Sequence, residues 1–196
     1  MGEAAEAGTR QGAPPPATDA EEVSLLRAAQ AGDRAAFARL VEGYWPRLYR
    51  WLYHLARDRH LAEDLAQEAF LKALAHLGRF RVGTNFRAWL FRIAHNAFVN
   101  VRRAAARRGA ALPDDLPSRE QGPAERACSR EAVAGLAGAV ERLPTDFKAA
   151  LLLRVEEGLS FRQIAGVLDI TEETARWRVF KARQKLLGQL EGGQGP

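Results

Sequence analysis

Apolar residues in this chain return at intervals of three and four, and nowhere alternate over a stretch long enough to make a strand, so the expected fold is all-α. Leu25, Leu26, Ala29, Phe37, Leu40, Val41, Tyr44, Leu48, Leu52 and Leu55 keep this rhythm, and Gly32 and Asp33 interrupt it. The same spacing predicts helices over residues 61–77 and 85–108, with a loop at 78–84 that carries two glycines, Arg79 and Arg81. The rhythm then fails where Pro113, Pro117, Gly122 and Pro123 fall close together. It resumes as helix near Pro123, pauses at Leu143 and Pro144, and runs on through 146–156. A turn at Gly158 leads to helices over 161–168 and 171–187, separated only by Asp169 and Ile170.

Two small helical domains joined by a flexible linker follow from this pattern. Residues 1–20 read as a leader, because Pro14, Pro15 and Pro16 among small polar residues bury too little apolar surface to fold. Residues 21–108 form the first domain, 109–130 the linker, 131–190 the second domain and 191–196 a tail. An apolar content of 47% is enough for two cores in 196 residues.

Charge is unevenly placed. The chain carries +5 overall, yet residues 23–110 hold 16 basic and 6 acidic residues, while residues 3–22 hold five acids against Arg10. Such local cationic charge favours a polyanionic partner. The lone Cys128 rules out an internal disulfide or a multi-cysteine zinc site, and the four histidines lie at no ligand-like spacing. No metal, cofactor or catalytic residue is expected, since no nucleophile with a base, paired-carboxylate pocket or phosphate-binding glycine loop is present. No stretch has the length of a membrane span, and the N-terminus lacks an export signal, so a cytoplasmic protein without membrane insertion is the expectation.

The last long helix separates into faces. At about 100° per residue, Ala175, Val179, Ala182 and Leu186 form one narrow apolar stripe, while Arg176, Trp177, Phe180, Lys181, Arg183 and Gln184 lie opposite. Ser160 is placed to cap the shorter helix before it, and Thr171 to cap the long helix itself, with Glu173 and Thr174 in its first turn. Two capped helices across a tight connector make a helix-turn-helix, whose second helix enters the major groove of duplex DNA. Without that first helix, the bland reading of an amphipathic helix with a solvated basic side would be preferred.

In the first domain, Ala62, Ala66, Ala69, Phe70, Ala73 and Leu77 make a packing side, and Asp64, Gln67, Glu68 and Leu71 gather on the other. Read alone, this is an exposed face with a Glu68 to Lys72 ion pair. Along the next helix Phe86, Leu90, Ile93, Ala97 and Val101 form a core stripe, leaving Arg92, His95, Asn96, Val99, Arg102 and Arg103 to project elsewhere. Arg102, Arg103, Arg107 and Arg108 are clustered too tightly to pair internally, which points to phosphate contact. Trp89 and Phe91 fit either the core or a base-holding role, and His95 and Cys128 carry no special assignment.

The segment LPTDFKAALLLRVEEGLSFRQIAGVLDITEETARWRVFKARQKL, residues 143–186, resembles the promoter-reading fourth region of extracytoplasmic-function sigma factors. LAEDLAQEAFLK, residues 61–72, and NFRAWLFRIAHN, residues 85–96, are similar to that family's second region. The resemblance implies a two-domain sigma factor. Thr174, Arg176, Trp177, Phe180, Lys181 and Arg183 would then face the minus-thirty-five element. Arg79, Arg81, Trp89, Arg92, His95, Asn96, Arg102 and Arg103 would serve to recognise and melt the minus-ten element, so that promoter DNA is met both as duplex and as single strand. Asp64, Gln67, Glu68 and Leu71 would dock on the clamp helices of the polymerase largest subunit, and the polymerase flap is implied as a further contact. Family members are commonly held inactive by an anti-sigma protein, and this partner too is implied. The family usually has a small hydroxyl residue where Trp177 stands, so the resemblance does not carry over base preference there. An ordinary transcription regulator would need a receiver or ligand-binding domain, which the helical first half does not resemble, and a helical adaptor leaves the basic faces unexplained.

Overall fold

In the computed structural model, which describes residues 19–108, 135 and 137–191, these residues are helical apart from short turns. Helix α1 (Asp19–Gln30) starts two residues inside the expected leader. Gly32, at φ 97°, turns the chain in the left-handed region that an L side chain resists, and Asp33 then caps α2 (Arg34–Ala56) by accepting from the Ala35 and Ala36 N–H groups. Asp58 caps α3 (Arg59–His76) through the Leu61 N–H, and Asn85 caps α4 (Phe86–Arg107) through that of Ala88. A single 3-10 turn, Leu77–Arg79, opens the expected loop. Gln30 ties it down by donating to the Leu77 and Phe80 carbonyls at 2.8 and 2.7 Å.

α2 is the centre of this unit. Ala36, Leu40, Tyr44, Leu48, Trp51, Leu52 and Leu55 are buried along it, and α1, α3 and α4 all pack on it. The predicted packing side of α3 is buried throughout, with Leu65 added. Of the predicted α4 stripe Phe86, Leu90 and Ala97 are buried and Ile93 and Val101 only partly, while Phe91, Ala94, Phe98 and Ala105 are covered as well. Phe91 meets Trp51 edge-on at 5.3 Å. Burying aromatic side chains of this size contributes about 1.5–3 kcal/mol each.

The second unit comprises a helical stretch at 137–141, α5 (Thr145–Val155), α6 (Phe161–Leu168) and α7 (Glu172–Glu191). Ser160 and Gln163 form a reciprocal capping box at the start of α6, and Asp169, at φ 55°, closes it. Thr171 accepts from the Thr174 N–H at 3.1 Å and so caps α7. Ala175, Val179 and Ala182 are buried as the spacing predicts, and Leu186 packs partly buried beside them.

The two units are in contact. α2 packs against α5 and α4 against α6, so that one apolar core runs from Leu26 to Ala182. α4 therefore packs on α2 and α3 of its own unit and on α6 of the other. The expected leader below residue 19, the linker at 109–130 with Cys128, and the tail beyond 191 lie outside the described residues.

Candidate nucleic-acid interface

The recognition helix is built by its caps and its stripe. With Ala175, Val179 and Ala182 fixed against α5 and α6, the opposite side of α7 faces outward, and Trp177 and Phe180 stand 51% and 56% exposed on it. Leaving large apolar rings in water wastes their burial energy. Around them lie cations. Arg176 is exposed, pairs with Glu172 at 3.1 Å and sits 5.1 Å over the Phe161 ring; Lys181 donates to Gln184 at 3.1 Å; Arg183 is exposed. Thr174 is turned inward to the cap, its hydroxyl 2.8 Å from that of Thr171. Arg178, which has no assigned role in the sequence reading, pairs with Asp146 at 2.9 Å and pins α7 to the start of α5.

On α3, Asp64, Gln67 and Leu71 are exposed and Glu68 is half-buried in its ion pair with Lys72. Leu71 is 69% exposed, and Leu74, one turn on, is exposed with it. Leu74 has no part in the predicted patch, although its spacing of three from Leu71 places it on the same face. This face is an apolar step flanked by acids.

The third group divides. Arg79 and Arg81 are exposed near the N-terminal end of α4, where Trp89 is wedged, half-buried, against Phe80 at 5.0 Å and Phe86 at 5.6 Å. Arg92 is exposed. His95, Asn96 and Arg103 instead line a crevice closed on its far side by Leu168, Asp169, Ile170 and Arg178 of the second unit. Arg102 lies against the Phe98 ring at 5.7 Å and faces Pro144, Phe147 and Trp177. Burial holds the His95 imidazole down to about 4; Asp146 opposes this in part and Arg178 adds to it. Its Nδ1 finds no hydrogen-bond partner among the described residues.

Charged residues distant in sequence hold the two units together. Glu157, 2% exposed in the turn before α6, meets Arg47 of α2 at 2.9 Å and Arg87 of α4 at 3.8 Å, and Arg87 donates to its carbonyl at 2.6 Å. Burial pushes the Glu157 carboxyl up, and the two guanidiniums pull against that. Nearby, Glu141 takes contacts from His54, Arg57 and Lys148. Burial alone would raise its carboxyl, but the His54 hydrogen bond and the Lys148 charge outweigh it and bring it to about 2. Neither cluster is visible in the sequence, because the partners lie as much as 110 positions apart.

A helix-turn-helix with an outward recognition helix, beside a second helical unit bearing exposed arginines, defines an all-α DNA-binding protein. Comparison with known proteins narrows this. Sigma-70 region 2 matches residues 40–108, and Sigma-70 region 4 matches residues 135–186. The chain is 36% identical to the ECF RNA polymerase sigma factor SigE of Mycolicibacterium smegmatis, over 81% of this chain and 64% of that one. It is 34% identical to the RNA polymerase sigma-H factor of Pseudomonas aeruginosa, over 86% of this chain and 93% of that one. Among solved structures it resembles the sigma factor RpoE of Bartonella quintana, crystallised with the anti-sigma factor NepR, at a TM-score of 0.65 and 26% identity, covering 79% of this chain and 96% of that chain. The chain belongs to the sigma-70 family, in its extracytoplasmic-function group. Among the described residues, no helix is long and apolar enough to cross a membrane.

Proposed function

We propose that this chain binds core RNA polymerase in the cytoplasm and directs it to promoters as an alternative sigma factor, supplying recognition while the polymerase supplies the chemistry. The observation that carries this is the presence of regions 2 and 4, in that order, in one chain whose recognition helix presents Trp177, Phe180 and flanking cations to solvent.

The residues divide the work as their chemistry directs. The α3 face of Asp64, Gln67, Glu68, Leu71 and Leu74 suits a protein partner, because a desolvated apolar step gives affinity and the acids orient it. This is the surface for the polymerase clamp helices. The cations of α7 suit a duplex, where Arg and Lys pair with base edges and phosphates. Arg79, Arg81, Trp89 and Arg92, with Asn96, Arg102 and Arg103, suit the minus-ten element, since cations track the backbone and a ring edge supports an unstacked base. An anti-sigma protein, the kind of partner named in the Bartonella complex, is the regulator expected to hold the two units.

The test is a footprint on a genomic promoter selected by the reconstituted holoenzyme. Protection over both elements that requires chain and core together is expected. Protection by the chain alone, unchanged by core, would overturn the reading.

A further inference from the structure

Trp177 lies on the outward side of α7 and is half exposed. Rotating about 100° per residue, Trp177, Phe180 and Gln184 fall opposite the buried Ala175, Val179 and Ala182. Arg176 and Arg183 lie to one side of that outward line, and Lys181 and Lys185 to the other. Past the acidic first turn, where exposed Glu173 shares the outward side one turn before Trp177, the rings of Trp177 and Phe180 between two cationic margins match a major groove in cross-section: the margins meet the two phosphate walls and the rings meet the floor.

The floor of the major groove consists of hydrogen-bonding edges with one apolar group among them, the thymine 5-methyl. A large ring carried to that floor gains from a methyl and loses by covering unpaired donors and acceptors. Trp177 is also held in place. Its ring lies 5.5 Å from that of Phe147, whose helix is anchored to α7 by Arg178 and Asp146 at 2.9 Å. The indole therefore reaches the duplex as a braced wedge with little rotamer freedom left to lose.

We infer that Trp177 is a specificity-determining residue that reads the 5-methyl of a thymine in the minus-thirty-five duplex, an inference that rests on the sigma-factor reading above. Phe180, one turn on, fills the groove beside it without setting this preference.

The experiment selects minus-thirty-five duplexes with the holoenzyme from a randomised pool bearing a fixed minus-ten element. Each selected thymine is then replaced by deoxyuridine, which removes the methyl and leaves the pairing edge intact. One position is expected to lose on the order of fourfold in affinity, the worth of about one buried carbon. Trp177→Ser should abolish that loss and relax the base preference there, Trp177→Phe should keep part of it, and Phe180→Ala should leave it in place. Melting curves matching the unaltered chain establish that the variants fold, as expected for a side chain half in water. A full deoxyuridine penalty in Trp177→Ser overturns the inference. So does a selected element with no methyl-sensitive thymine, or a sensitivity to 7-deazaguanine that Trp177→Ser removes, which would assign the indole N–H to guanine instead. A holoenzyme that selects no duplex sequence at all overturns the sigma reading itself, and this inference with it.

Discussion

Arg47 Nη2 lies 2.9 Å from Glu157 Oε2, joining the middle of α2 to the turn before the helix-turn-helix across 110 positions of sequence. The centres of the two promoter elements are about 25 nucleotides apart, roughly 85 Å at 3.4 Å per step, whereas a compact chain of this length has a radius of gyration of roughly 16 Å. On the proposed function, the two units part before one chain reads both elements. Arg47 and Arg87 neutralise a carboxylate that the contact buries, and removing them leaves that charge uncompensated at a cost of about 3–5 kcal/mol. Undocking relieves the cost. The Arg47→Ala, Arg87→Ala double variant is expected to give a larger radius of gyration by small-angle scattering than the unaltered chain. An unchanged radius would show that the apolar contact between α4 and α6 holds the units without the ion pairs.

The His95 imidazole gives the closed arrangement a pH dependence. Its value of about 4 lies below the ordinary 6.5, so between those limits the undocked or unfolded chain binds the proton more readily, and stability falls as pH drops from 6.5 towards 4. Glu157 acts in the opposite sense: raised on burial, it favours the protonated closed form as pH falls. His95→Gln removes the first contribution and leaves the second. Urea midpoints between pH 7.5 and 4.5 should therefore fall less steeply in His95→Gln than in the unaltered chain. Parallel profiles would contradict the burial assigned to His95.

On the recognition helix, Arg176→Ala or Lys181→Ala is expected to weaken promoter binding by about 1 kcal/mol or more and to leave core binding intact. Affinity of the reconstituted holoenzyme for promoter duplex and of the chain for core, measured side by side, checks this. Equal loss in both assays would contradict the division of labour.

The opposite pattern is expected on α3. Charge reversal at Asp64 and Glu68, or Leu71→Ser, should reduce core binding first, because these side chains face away from the chain's own core. Competition against a labelled sigma factor for core polymerase reads the effect directly. Loss of duplex binding with core binding preserved would reassign the face.

Ser160 tests the local architecture. Its hydroxyl accepts from the Gln163 N–H at 3.2 Å while the Gln163 side chain accepts from the Ser160 N–H at 2.8 Å. Ser160→Ala should cost about 1 kcal/mol. A lowered thermal midpoint with little change in core affinity is the expected result; an unchanged midpoint would show that the cap adds nothing to the packing of α6.

Local signals read well from the sequence. Ser160 and Thr171 stand at the caps their types predict, α6 has the predicted bounds, and the α3 stripe and Ala175, Val179 and Ala182 of the α7 stripe are buried where the 3.6-residue period places them, because each depends on neighbours within one turn. Signals that depend on distant partners did not. The Arg47 to Glu157 pair and the enclosure of His95 arise from contact between units, for which periodicity carries no trace, whereas Phe91, left between core and base-holding, is core, against Trp51. Trp89 illustrates the boundary: the sequence left it between core and base-holding, and it lies half-buried against Phe80 and Phe86 with part of its ring in solvent.

Run-off transcription with purified core polymerase, on a template carrying a holoenzyme-selected promoter, tests the central claim most directly. The account predicts a start at one fixed position that requires the chain and core together and disappears when either promoter element is scrambled. No promoter-dependent start, from a chain that still binds the same duplex alone at moderate salt, would contradict it and leave an ordinary DNA-binding regulator in its place.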